Sequence, residues 1–289
     1  MEYLMTYGWA ILAIAIVMVS LYSLGIFNLQ SLSPSATPGS CQVIRTAAQT
    51  SLAGQCNNLM PKYVGQFNGQ NAYVNLGNSA ALSPEAGTNG KMSFCLWYYI
   101  NTDSSLTGFY GPMLKGMNSP SSGSIWEYTI GQYSDQSFTV WIPSGASPVA
   151  TEAGPAPSAK QWYFACFTYD YAASSASFYV NGVQYIGTFN SGTPAGQGTG
   201  KLVLGAGENG YSKVYIADVQ LYNTSLDAAT IKTLYHEGIG GAPADVTHLV
   251  GWWPLNGNAN DYSGNNNQGA PINVIWNANW QSGYTAPAS

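Results

Sequence analysis

The groups able to do acid–base chemistry in this chain are few and scattered. After Glu2 the carboxylates are Glu85, Asp103, Glu127, Asp135, Glu152, Asp170, Glu208, Asp218, Asp227, Glu237, Asp245 and Asp261. Glycoside hydrolysis needs two of them facing each other across a cleft. Only Glu127, in the strand-like string Trp126-Glu127-Tyr128, has a context that suggests it, and a solvated strand position is the better reading of that residue. Two histidines, His236 and His248, are too few for a histidine-rich metal site. The string Gly205-Ala206-Gly207-Glu208-Asn209-Gly210 has the spacing of a dinucleotide loop, but a strand pattern follows it where a helix is required. No GxSxG, HExxH or complete phosphate loop is present. The sequence therefore predicts no enzyme.

One cluster has the donors of a hard cation. Asp261, Ser263, Asn265 and Asn267 recur in a Gly/Asn-rich loop and offer oxygen ligands of the kind calcium takes. The same residues also suit a turn whose side chains cap its own backbone. Four cysteines fall into two pairs. Cys41 and Cys56 flank a short polar segment with little core of its own, which a disulfide would staple. Cys95 and Cys166 sit in two apolar runs, SFCLWYYI and WYFACFTYD, and can bond if those strands are neighbours; two buried free thiols are the other reading. CxxC spacing, the mark of zinc, is missing. Asn223-Thr224-Ser225 is a glycosylation sequon at Asn223. Among the aromatics, Trp97, Trp162 and Trp252 lie in strand-like strings and read as core. Trp126, Trp141, Trp276 and Trp280 are candidates for a face or rim, where a ring stacks on a sugar or on a neighbouring subunit.

Composition bounds the partners. Charged residues are only 7% of the 289, formal charge is −5, and Lys plus Arg total 8. No basic patch can be assembled from so few cations, which excludes nucleic acid. A surface this poor in ionised groups is insensitive to pH.

The elements that position these residues are of two kinds. Residues 3–27 contain no charge, and the next charged residue after Glu2 is Arg45. The run predicts a helix over 1–29, and about 25 residues of helix is roughly 37 Å, enough to cross a hydrocarbon layer. Lipid or a bundle of identical helices can bury it. A cleaved secretory signal fits poorly, since no basic region precedes the run. Segment 31–40, with Pro34 and Pro38, has linker composition, and 41–60 reads as a short helix or a looped collar. From Lys62 onward short apolar or alternating runs are broken by Gly, Asn, Ser and Pro. Strands are expected at 72–76, 92–100, 125–130, 137–142, 162–169, 176–181, 201–205, 213–222 and 249–254. Residues 226–237 form the amphipathic helical stretch, with Leu226, Ile231, Leu234 and Tyr235 on one face, and 143–160 reads as a long rim loop. The pattern is that of a mainly β, antiparallel sandwich behind a long N-terminal helix. Its domains are a helix at 1–30, a linker and collar at 31–61, and a β head at 62–289.

Two resemblances sharpen this. The string Glu2-Tyr3-Leu4-Met5-Thr6-Tyr7-Gly8-Trp9-Ala10, leading into Ile11, Leu12, Ile14, Ile16 and Val17, resembles the start of archaeal type IV pilins with a class III signal peptide. That resemblance implies a helix that polymerises as a filament core, a membrane-inserted state before assembly, a pilus assembly machinery, and pairing of Glu2 with a neighbour's α-amino group or with Thr6. The basic leader and processing junction of that family do not precede Met1, which leaves open a removed leader, an upstream start or an unprocessed protein. The head resembles laminin G-like, concanavalin A-like jelly-roll modules. Phe94-Cys95-Leu96-Trp97-Tyr98, Ala176-Ser177-Phe178-Tyr179-Val180-Asn181-Gly182 and Ile216-Ala217-Asp218-Val219-Gln220-Leu221-Tyr222-Asn223 carry the likeness. The string Leu249-Val250-Gly251-Trp252-Trp253-Pro254-Leu255-Asn256-Gly257, then Asp261-Tyr262-Ser263-Gly264-Asn265, opens such modules; here it closes the head, as circular permutation would produce. Modules of this kind often bind glycans, and often calcium. The combined expectation is an extracellular filament subunit whose jelly roll is displayed for adhesion. A membrane-anchored glycan-binding protein and an archaellum-type motility filament are the alternatives.

Overall fold

The computed structural model describes residues 2–23, 35–57, 60–101, 110–117, 127–132, 138–144, 147–155, 157–186, 188–189, 200–207 and 210–288. Helix α1 runs Glu2–Ser23. Its side chains are described from Trp9 to Ser20 and every one is exposed. Among the described residues no helix is long and apolar enough to cross a membrane. The remainder of the expected 1–29 helix, and the side chains of Glu2, Tyr3, Leu4, Met5, Thr6, Tyr7 and Gly8, lie outside what is described.

Residues 41–60 differ from the expected helix or loop. They form a hairpin, β1 (Cys41–Arg45) against β2 (Thr50–Gly54), antiparallel. The β-branched Val43, Ile44 and Thr50 favour extended backbone, and Thr46 closes the turn by accepting the Gln49 N–H at 3.1 Å.

The head follows as β3 (Val64–Gln66), β4 (Tyr73–Asn75), β5 (Lys91–Ile100), β6 (Tyr110–Met117), β7 (Tyr128–Gln132), β8 (Phe138–Ser144), β9 (Ser147–Ala153), β10 (Trp162–Asp170), β11 (Ser175–Val180), β12 (Val183–Ile186), β13 (Thr188–Phe189), β14 (Lys201–Leu204) and β15 (Val214–Tyr222). Helix α2 (Ala228–Glu237), β16 (Leu249–Trp253), β17 (Ala270–Ile272) and β18 (Ile275–Asn277) complete it. Two antiparallel sheets stack. One has the order β13-β9-β8-β7-β6-β14-β4-β17, the other β12-β11-β10-β5-β15-β3-β18, with β16 also on β15. The chain is a mainly β jelly roll. The last strands return to the first, since β17 pairs with β4 and β18 with β3.

The second sheet is covered on both faces, which explains the unbroken apolar run of β5. Phe94, Leu96 and Tyr98 point into the core between the sheets with Tyr128, Phe138 and Phe178. Cys95, Trp97 and Tyr99 point the other way, under α2 and the C-terminal segment, into a second core with Trp162, Phe164, Leu234, Trp252 and Trp280. The expected set of strands missed several, among them the short strands β3, β12, β13, β17 and β18; two longer ones are instructive. Residues 147–153 pair with β8 despite their loop-like composition, and 110–117 pair with β7 and β14 despite Gly111, Pro112 and Gly116.

Candidate functional site

A solvent-open cleft of about 520 Å³ lies on the outer side of the second sheet, lined by Trp97, Lys160, Gln161, Trp162, Tyr163, Asn181, Tyr235, Gly283 and residues 285–288. Volumes of this order suit small-molecule and sugar ligands. Three elements build it. Helix α2 brings Tyr235, whose ring stacks on Trp97 with centroids 5.9 Å apart. Its start is fixed by Asp227, which accepts the Thr230 N–H at 2.7 Å. The β11–β12 turn brings Asn181, with φ +50° and Gly182 at φ +76°, a two-residue hairpin turn of the type that demands positive φ at both positions. A Cβ on Gly182 would lie 3.0 Å from the Tyr235 ring, a tight approach that a side chain there would have to displace. The C-terminal segment closes the far wall, where Gly283 O accepts the Trp162 N–H at 3.1 Å.

The floor is aromatic and the rim is amide and hydroxyl. Tyr163 Oη accepts the Ser158 N–H at 2.8 Å and donates to Gln161 Oε1 at 3.1 Å. Asn181 Oδ1 accepts the Phe164 N–H at 2.9 Å. Trp162 donates its indole N–H to Trp280 O at 3.0 Å. The indole N–H of Trp97, by contrast, is buried without a hydrogen-bond partner. A buried donor left open costs about 1–3 kcal/mol. The cleft thus offers the partly exposed Tyr163 and Tyr235 rings, amide and hydroxyl groups, and the ammonium of Lys160, above the nearly buried Trp97 and Trp162. The sequence placed Trp97 and Trp162 in the core, and their side chains are indeed buried; nothing in the spacing shows that they also floor a cleft. Trp280, expected as a face or rim candidate, is 1% exposed, because the C-terminal segment folds it under the second sheet. Trp141 and Trp276 are partly exposed, and Trp126 lies outside the described residues.

The four residues of the expected calcium loop do come together, but their polar atoms are engaged with the protein. Asp261 Oδ1 accepts the N–H groups of Trp252 and Ser263, and Oδ2 accepts that of Asn267. Asn265 and Asn267 donate their amides to carbonyls of β16, and Ser263 Oγ donates to Val250 O. Among the described residues no three His, Cys, Asp or Glu side chains form a metal-sized cluster. The donor set does not fit calcium as it stands; it caps its own turn. Its outward carbonyls dock the hairpin, with Val43 N donating to Tyr262 O at 2.8 Å and Arg45 Nε to Ser263 O at 2.9 Å.

Both expected disulfides form. Cys41–Cys56 closes the hairpin, and Cys95–Cys166 joins directly opposed positions of β5 and β10 on the outer face. Asn223 is exposed at the end of β15.

Two buried carboxyl sites escaped the sequence reading. Asp218 sits at a bulge in β15 with φ +48°, where the strand changes partner from β3 to β16. It accepts from Gln220 Nε2 at 2.9 Å and Trp252 Nε1 at 2.8 Å beside a small cavity under the hairpin. Burial, outweighing those hydrogen bonds, pushes its carboxyl up to about 7. Glu127, expected as a solvated strand residue, is 1% exposed. It faces inward because Lys115 meets it there at 3.0 Å, and Ser83 Oγ donates to its other oxygen. Glu85 lies alongside, pushed up to about 8 chiefly by burial.

The family model described as the concanavalin A-like lectin/glucanases superfamily matches residues 68–232. No curated protein matches the chain. Among solved structures, a candidate carbohydrate-binding protein of Bacteroides ovatus aligns with TM-score 0.52 and 13% identity, over 81% of this chain and 65% of that one. A Trypanosoma rangeli sialidase bound to sialic acid aligns with TM-score 0.47 and 18% identity, over 73% of this chain and 33% of that one. A heptameric pentraxin of Limulus polyphemus gives TM-score 0.44 and 14% identity, over 63% and 84%. The chain thus spans under two thirds of the first protein's length and a third of the second's, and the likeness to the first is one of fold.

Proposed function

The chain belongs to the concanavalin A-like lectin/glucanase superfamily, and from that premise we propose that it is the structural subunit of an extracellular, type IV pilus-like filament. Helix α1 packs against copies of itself in the filament core, and the jelly roll faces outward for attachment to carbohydrate. The observation that carries this reading is the helix. From Trp9, 73% exposed, through Ile11, Ile14 and Ile16 to Val19, 65% exposed, its apolar residues lie open all round. A helix apolar on every side is stable only inside something, and the described part of this chain supplies no cover. Copies of the same helix would, with lipid holding it before an assembly machinery extracts it. The head adds the aromatic cleft, whose lining also carries the exposed Lys160. With Glu127 turned into the interior, catalysis is not part of the proposal.

Negative-stain microscopy of cells expressing the chain tests the filament. Filaments that react with antibody to the head are expected; intact protein released by detergent only as monomers, with no filament on any cell, overturns it. A membrane-anchored glycan-binding protein is the second reading, favoured by the fact that the cleft lies wholly within one head. An archaellum-type filament is separated from a pilus by motility alone.

A further inference from the structure

The proposed function makes no use of the charged group buried deepest in the head. Lys115 on β6 and Glu85 are 0% exposed, and Glu127, just before β7, is 1% exposed. Lys115 Nζ lies 3.0 Å from Glu127 Oε1 and donates to Gly200 O at 2.7 Å. Gly200 is held close because its backbone crosses that of Gly116, where a Cβ would lie 2.1 Å from a carbonyl carbon. Ser83 Oγ holds the other oxygen of Glu127. Both carboxyl oxygens of Glu85 are buried without a hydrogen-bond partner, and Glu85 interacts electrostatically with Glu127 and Lys115 together. Tyr128, fully buried, walls the group and donates its hydroxyl to Leu82 O at 2.6 Å.

An ion pair in such a place is a weak source of stability, since removing two charges from water costs several kcal/mol each. An amine and a carboxyl held together in a dry site with a second carboxyl nearby are also the components of an amide-forming reaction, with reactants already in contact. We propose that Lys115 and Glu127 become covalently joined by an amide between Nζ and Cδ, with Glu85 carrying the protons. The ammonium and carboxylate together yield the amide and one water. The Nζ–Cδ bond forms, one Cδ–O bond breaks, and the departing oxygen leaves with the two protons that the nitrogen gives up. Nothing is oxidised or reduced. Glu85 makes no hydrogen bond to either reactant as the site stands; on closing to hydrogen-bond reach it gives its proton to the departing oxygen, takes one from the nitrogen, and ends protonated as it began. Burial keeps it in the acid form at neutral pH, its carboxyl being pushed up to about 8. Gly200 O and Ser83 Oγ fix the two reactants. The product removes two buried charges and ties β6 to β7 across the segment between them.

Intact mass spectrometry of the full chain, denatured with its disulfides reduced and alkylated, reads the result directly. The chain is expected one water lighter than its sequence, resistant to trypsin after Lys115, and to release a branched peptide joining the segments that hold Lys115 and Glu127. Glu85→Gln, neutral and of the same shape, is expected to fold and to keep the full sequence mass. Wild-type chain with the full mass and ordinary cleavage after Lys115 overturns the bond, whether or not any variant folds. A folded Glu85→Gln chain that still loses the water overturns the role of Glu85. Neither readout depends on filaments or on sugar binding.

Discussion

Helix α1 and strand β5 are built from similar material and meet opposite fates. The helix carries Ala10-Ile11-Leu12-Ala13-Ile14-Ala15-Ile16-Val17-Met18-Val19, the strand Met92-Ser93-Phe94-Cys95-Leu96-Trp97-Tyr98-Tyr99-Ile100, and neither stretch contains a charge. In the strand every one of these side chains is buried, alternating between the inter-sheet core and the core under α2. In the helix Ile11 is 67% and Ile14 64% exposed. One apolar run is fully used in making the head. The other is uncovered by the described residues, and the proposed function gives it a use outside the chain.

The contrast breaks first if β5 is less important than its burial suggests. Phe94→Ala, on the inner face, and Trp97→Ala, on the outer, are each expected to cost about 3–5 kcal/mol. For a domain of this size that lowers the melting temperature by roughly 2–4 °C per kcal/mol. Thermal unfolding of the head followed by near-UV circular dichroism measures both. A Trp97→Ala loss far below that of Phe94→Ala would make the outer core a covering added to a two-sheet domain that is stable without it.

The next effect comes from the polar groups that the head buries at a cost. Glu85 rises from 4.5 to about 8 and Asp218 from 3.8 to about 7, in both cases chiefly because burial disfavours the charged form. Each therefore holds its proton in the folded head at a pH where the unfolded chain has released it. Stability is full below the unfolded values and falls as pH rises through the window up to about 8. Denaturant melts between pH 4 and 9 should show this decline, and Glu85→Gln should flatten its upper part. A head that gains stability with rising pH would contradict both assignments.

A smaller loss is expected at the hairpin. Removing Cys41–Cys56 by Cys41→Ser with Cys56→Ser opens a loop with a sequence separation of 15, worth about 3 kcal/mol in the chain-entropy model. The hairpin is also held by Arg45 on the carbonyls of Ser263, Val246 and Leu249, so the head should remain folded and lose protection chiefly in residues 41–54. Hydrogen exchange resolves this by segment.

The sequence was readable where one element carries its own signal. The apolar runs of β5 and β10, the period of α2 and the order of strings in the head all show the jelly roll. It was unreadable where meaning comes from a partner distant in the chain. Residues 147–153 look like loop until β8 supplies their pairing. Glu127 looks solvated until Lys115 and Glu85 arrive from other elements. The Asp261 loop was recognised as a cluster of oxygens, but not that its carboxylate is already committed to three backbone N–H groups. The cleft was invisible for the same reason, since Trp97, Asn181, Tyr235 and Gly283 come from four separate segments.

The least effect on the head, and the sharpest form of the contrast, belongs to α1. Ile14→Asp places a carboxylate on a helix whose neighbours are all apolar and exposed. Exposed in an isolated chain, that charge meets water, and surface substitutions of this kind stay within about 0.5 kcal/mol. The head should therefore melt as in the wild type. Buried among copies of the helix, the same charge lacks a partner, and its cost of several kcal/mol recurs in every subunit of the filament. Assembly should fail while the fold is unchanged, read as filament yield by sedimentation beside the melting curve. Filaments at normal yield from Ile14→Asp would mean that this face of the helix is not in the core. A lowered melting temperature would mean that the helix packs on its own head, and the division between a run used within the chain and a run left for others would be lost.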